Sequence, residues 1–220
     1  MPRIAVAAVL VALAAAITWR YPLFHVVSLK KTTEAANSAA FNAEKFAAEF
    51  WDEKLTPALA SAPDAAEVVA AFKADTATAR KTFGRSVGIS RSTLLLVRGG
   101  GTVTAVEDGR IGVTLGDEPT DDKAAPDLWL TTDPVFNNAV RDSSGLIRSQ
   151  DFPNSQHFNQ LAAALNAIVE ERVVPPLSKA AAPGKQIRFA ACAELRGGAV
   201  KLPLTFIPLE ATVLESAVEP

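Results

Sequence analysis

At Thr93 the hydrophobic period of this 220-residue chain changes from 3.6 to 2, and three consecutive glycines, Gly99 to Gly101, interrupt the new pattern almost at once. TLLLV reads as a strand, the glycines as a place where it bends or bulges, and TVTAV as its continuation. Asp108-Gly109 supplies a two-residue turn of the kind that needs positive φ, and RIGVTL returns as the partner strand. Gly116 to Asp127 reads as an exposed acidic loop and Leu128 to Thr131 as a third strand. The stretch NNAVRDSSGLIRSQDF is expected to be extended, with a turn at Ser143 to Gly145. A helix opens at Pro153-Asn154-Ser155, covers about 155–175 and ends at Pro175-Pro176. Gln186 to Leu195 and Val200 to about Leu214 are two closing strands joined at Gly197-Gly198. Strand with a kink, strand, strand, helix, strand, strand is the element order of an OB-fold. The expected class is therefore α+β, with a small OB-like antiparallel β-barrel and one inserted helix over 91–220; an ordinary two-layer α+β domain fits the same elements.

Upstream, the spacing is helical. A helix from about Thr33 to Ala60 carries Phe46, Phe50 and Leu55 on one stripe. A second is expected to start at Ser61 through the capping pattern S-x-x-D with Pro63 in the first turn, to carry Val69, Phe72, Ala79 and Phe83, and to end at Gly84. Together they predict a helical hairpin over 28–90. The first 27 residues are a transmembrane anchor or a signal segment: Arg3 precedes the apolar run Ile4 to Ile17, and Trp19 and Arg20 close it. Fourteen apolar residues make about 21 Å of helix, shorter than a hydrocarbon core of roughly 30 Å, so a short anchor and a cleaved peptide both remain open. Either sends the remainder to the periplasmic side of an inner membrane.

Composition removes several function classes. A formal net charge of −2 gives no general attraction to nucleic acid. The expected barrel strands hold only Trp129, Phe189 and Phe206 as stacking candidates, so single-strand binding by an OB face is kept as an alternative and no nucleic-acid partner is expected. Arg85, Arg91, Arg98 and Arg110 form a modest basic set suited to lipid headgroups. One cysteine, Cys192, among small apolar neighbours, reads as a buried inert thiol. With two separated histidines there is no zinc spacing, and DEPTDD lacks the glycine and closing Glu of a calcium loop, so neither metal nor cofactor is expected.

Two polar clusters interrupt the patterning. In the first, Asn137, Asn138, Arg141 and Asp142 offer a subsite for a carboxylate, phosphate or sugar hydroxyls, or an Arg–Asp pair that pins a turn. In the second, Asp151 and Asn154 cap the helix start, Phe152 and Phe158 staple it, and Gln156, His157 and Gln160 follow. A hydrolase or transferase reading would need Asp142 or Asp151 to orient His157 towards Ser143 or Ser144, and no nucleophile elbow surrounds either serine.

The runs GGGTVTAVEDGRIGVTLG, DPVFNNAVRDSSGLI and QDFPNSQHFNQLAAALN, with FWDEKLTPAL and KTFGRSVG upstream, resemble a bacterial family of predicted periplasmic lipoproteins, domain of unknown function 2291. The matching positions are Gly99 and Gly101, then Ala139, Arg141 and Asp142, then Asp151, Phe152, Asn159 and Gln160. Asn137-Asn138 stands where the family motif leads one to expect a glycine, the asparagine-glutamine step is stretched, and no cysteine lies near the leader to carry a lipid. The resemblance implies an accessory role in solute uptake, sugars included, or in envelope organisation. The resulting expectation is a non-enzymatic, membrane-proximal exported protein that binds a transporter or envelope protein, or a small solute. Its candidate ligand residues are Asn138, Arg141, Asp142 and Gln160, with Gly99, Gly101, Asp151, Phe152 and Asn159 as structural motif residues.

Overall fold

The computed structural model describes residues 41–86, 92–116, 125–198 and 200–214. Helix α1 (Ala43–Phe50) starts where the Asn42 side chain accepts a hydrogen bond from the Lys45 N–H at 2.8 Å. It continues through a π-turn, Trp51–Leu55, into α2 (Thr56–Leu59). Helix α3 (Ala65–Ala74) begins at Asp64, whose carboxylate accepts from the Ala66 N–H at 2.8 Å. The cap expected at Ser61 is not used: its hydroxyl donates to the Ala58 carbonyl at 2.9 Å and so finishes the preceding helix. The expected helix to Gly84 is also two helices, because Asp75 is extended (φ −153°, ψ 105°) and caps α4 (Thr76–Phe83). Its carboxylate accepts from the Ala77 N–H and the Thr78 hydroxyl, two local bonds that compete with continuing α3.

The strands are β1 (Arg85–Ser86), β2 (Thr93–Glu107), β3 (Arg110–Leu115), β4 (Leu128–Thr131), β5 (Gln186–Leu195) and β6 (Leu204–Leu214). The fifteen residues of β2 serve two partners: Thr93 to Thr102 pair with β5, and Gly101 to Glu107 with β3. Gly101 lies at the changeover, where a Cβ would run into the Thr114 carbonyl oxygen. Gly99 lies under α3, where a Cβ would sit 2.9 Å from that of Ala65. At the β2–β3 turn Gly109 has φ +75°, as the Asp-Gly pair requires.

Strand directions follow from these pairings. Two antiparallel steps return β4 to the direction of β2; β5 opposes β2 and β6 opposes β5, so β6 runs parallel to β4. The six-stranded sheet has the order β1-β2-β3-β4-β6-β5, with β2 also pairing β5. The expected antiparallel barrel is thus corrected to a mixed sheet. One face of it, including Leu95, Val97, Val113, Leu130 and Phe206, is filled by Val68, Val69 and Phe72 of α3 and by Leu177.

After β4 come α5 (Ala139–Asp142), a 3-10 turn (Ser149–Asp151), α6 (Ser155–Ile168), a π-turn (Val169–Val173) and α7 (Val174–Ala180). The region 139–142 is helical rather than extended. Pro175 and Pro176 do not stop the helix, because they fall in the first turn of α7 just past the π-turn. The helical hairpin is also corrected: α1 packs along α6, while α3 packs on α4 and β2. Among the described residues no helix is long and apolar enough to cross a membrane, so the described structure lacks the transmembrane helix that the sequence led us to expect; that expectation falls on 1–27, outside the described residues. Asn42–Pro220 form one compact unit, and Met1–Phe41 a second, of which only Phe41 is described.

Candidate functional site

The turn of α5 places Arg141 and Asp142 beneath the surface, at 4 % and 9 % exposure. Their side chains meet in a two-point fork, Nε to Oδ1 at 2.6 Å and Nη2 to Oδ2 at 2.9 Å. Arg141 Nη1 donates to the Phe158 carbonyl at 2.9 Å, and the guanidinium carbon stands 3.4 Å over the Phe158 ring centroid. Phe158 meets Phe152 at 5.5 Å between centroids, and Phe152 meets Phe46 of α1 at 5.6 Å. The Arg-Asp motif is therefore a clamp that joins α5, the start of α6 and α1. Both carboxylate oxygens of Asp142 accept from Arg141. Asp151 accepts from the Arg148 N–H at 2.9 Å and so closes the turn before α6. Cys192 is wholly buried on β5, and that burial pushes its thiol up to about 12, a neighbouring Ser143 hydroxyl offsetting part of the rise. A thiol so protonated is no nucleophile at neutral pH.

An open cleft of about 400 Å³ lies beside this clamp, between the loop leading into α5 and the outer side of α6. Asn137, Asn138, Asn159 and Asn166 line it, with Phe136 at its rim. The loop is strapped to the helix at three points. Asn166 Nδ2 donates to the carbonyls of Val135 (2.9 Å) and Asn137 (3.0 Å), and the Val135 N–H donates to Glu170 Oε1 at 2.8 Å. Asn137 Oδ1 accepts from the Ala139 N–H at 2.9 Å and starts α5. These bonds hold Phe136 at 92 % exposure between this cleft and a second one of about 210 Å³ against β6. Asn166 is 7 % exposed, and its Oδ1 is buried with no hydrogen-bond partner among the described residues.

Of the residues singled out in the sequence, Asn137, Asn138 and Asn159 reach the cleft. Arg141 and Asp142 lie in the clamp beside it, and Gln160 is exposed on α6 outside the lining. Sequence reasoning missed Phe136, Asn166 and Glu170; the one visible signal was an asparagine in the apolar stripe of α6. Trp129, the remaining stacking candidate, is 8 % exposed with the Arg110 guanidinium 4.0 Å over its ring. Among the described residues no three His, Cys, Asp or Glu side chains are grouped to hold a metal ion.

Residues 7–212 match the family DUF2291, described as predicted periplasmic lipoprotein. The fold is similar to the crystal structure of an OB-fold protein from Thermotoga maritima, 28 % identical, with a TM-score of 0.69 over 80 % of this chain and 99 % of that one. No curated protein matches the chain. Neither description carries an activity, in keeping with a motif whose charged pair is spent on packing. The chain thus belongs to the DUF2291 family of predicted periplasmic lipoproteins, which places it in the periplasm or at the periplasmic face of the inner membrane.

Proposed function

We propose that this protein is an accessory component of solute uptake at the periplasmic face of the membrane, and that it holds a small neutral solute of the sugar class at the Phe136 cleft. The observation that carries the reading is the aromatic ring held in solvent on a strapped loop, next to a cleft lined by amides. Amide side chains offer donors and acceptors without charge, the combination that vicinal hydroxyls require, and an exposed ring face receives the C–H side of a sugar. The unsatisfied Asn166 oxygen adds an acceptor whose burial without a partner is costly unless a hydroxyl or water meets it.

Calorimetric titration of the full chain with a panel of mono- and disaccharides tests this. One or more sugars should bind, and Phe136→Ala should weaken binding at least about 10-fold with unchanged thermal stability, since the ring is almost wholly in solvent. Failure of every sugar, or equal binding by the variant, would overturn the solute reading. In-cell cross-linking from Phe136-loop positions to a transporter subunit tests the accessory role separately.

A further inference from the structure

A second groove, of about 580 Å³, lies on the other side of the molecule's sheet, where β2, β5 and β6 meet the α2 end. Its floor is built from register. Arg98 pairs with Ala190 and Ala190 with Glu210 in one row; Gly100 pairs with Arg188 and Arg188 with Thr212 in the next. Cross-strand partners share a face, so Arg98, Arg188 and Glu210 surround Ala190, and Gly100 and Ala190 leave the space between the long side chains open. Arg98 and Arg188 are diagonal neighbours, about 7–8 Å apart at Cα, close enough for both guanidinium groups to reach one anion.

Among the described residues neither arginine has an ion-pair partner, although Asp64, whose carboxylate caps α3, also lines the groove. Arg98 is positioned by the loop before α3: its N–H donates to the Pro63 carbonyl at 2.9 Å and its Nε to the Ala62 carbonyl at 3.2 Å, which leaves both Nη groups for the groove. Arg188 and Glu210 have no hydrogen-bond or ion-pair partner among the described residues. Two like charges set side by side over a glycine floor, with an acid one strand further on, disfavour each other until an anion joins them.

We infer that this groove binds an ethanolamine-phosphate zwitterion, its phosphate forked between Arg98 and Arg188 and its ammonium on Glu210. Arginine suits the phosphate because its fixed donors match two oxygens at once. Glu210 pairs with Ala190 and is therefore a diagonal neighbour of Arg188 on the next strand, about 7–8 Å away at Cα. A two-carbon linker sets the ammonium farther from the phosphate than an α-amino acid sets its ammonium from its carboxylate, which share one carbon, so the longer zwitterion suits this diagonal. The same chemistry comes from a soluble phosphoethanolamine or from a phosphatidylethanolamine headgroup, and it is independent of the Phe136 cleft.

The experiment is calorimetric titration of the full chain with phosphoethanolamine and with inorganic phosphate at low salt, alongside co-sedimentation with phosphatidylethanolamine or phosphatidylcholine vesicles. Phosphoethanolamine should bind more tightly than phosphate. Arg188→Gln should weaken it at least about 10-fold, and Glu210→Gln should erase the preference over phosphate. Both side chains are exposed, so circular dichroism of the variants should match the parent. Vesicle binding that needs phosphatidylethanolamine and is lost in both variants identifies the headgroup as the source; binding of the soluble compound alone identifies the free one. No phosphoethanolamine binding, equal affinity for phosphate, or unchanged affinity in the variants would overturn the inference.

Discussion

Arg141, held by three hydrogen bonds and an aromatic ring, is also the residue whose sequence setting looked most chemical. Arg141 and Asp142 are adjacent, and their charge pairing was legible in the chain; that the pair turns inward depends on the Phe158 carbonyl and ring, which come from another element. Arg141→Ala should lower unfolding stability by about 3–5 kcal/mol in urea titrations, because it strands a buried carboxylate. Arg141→Lys should restore only part of this, since an ammonium cannot make the two-point fork. A loss under about 1 kcal/mol for Arg141→Ala would refute the clamp. Cys192 makes a pH prediction. Its thiol titrates near 12 when folded and near 9 when free, so the folded state binds the extra proton between those values. The contribution is fully present below about pH 9 and is lost as pH rises towards 12, and a thiol reagent at pH 8 should modify Cys192 only after denaturation. Phe136 was illegible for the opposite reason. V-F-N reads as a core aromatic, and only Asn166 and Glu170, some thirty residues on, hold it outside.

Among the elements, β2 to β4 were readable because alternation and the Asp-Gly turn are local signals, and the strand boundaries at Leu128 and Gln186 coincide with those observed. The helices were less so. The capping residue of α3 was misplaced by three residues because Ser61 and Asp64 are both good caps, and the choice was made by where α3 must sit over Gly99. The break at Asp75 is an Asx-type cap inside an otherwise helical run. The glycines had a readable role but not a readable reason. Gly101→Ala should cost about 1–3 kcal/mol, measured as a lower urea midpoint with an unchanged slope, because its Cβ meets backbone rather than a side chain that can rotate away.

For the molecule as a whole, pairing β5 with both β2 and β6 ties the chain's last strands to its longest one, a relation no local pattern announces. Fractionation should recover the protein with the periplasm or inner membrane, and protease added to spheroplasts should digest it; protection from that protease would contradict the family placement.

The π-turn at Val169–Val173 sets the phase of everything beyond it. One residue amounts to about 100° of helical rotation, so deleting a single residue there would swing Glu170 off the Val135 amide, or carry Leu177 out of the core, without touching either partner. The widened turn works as a vernier: it lets one continuous rod satisfy a loop at one end and the sheet interior at the other.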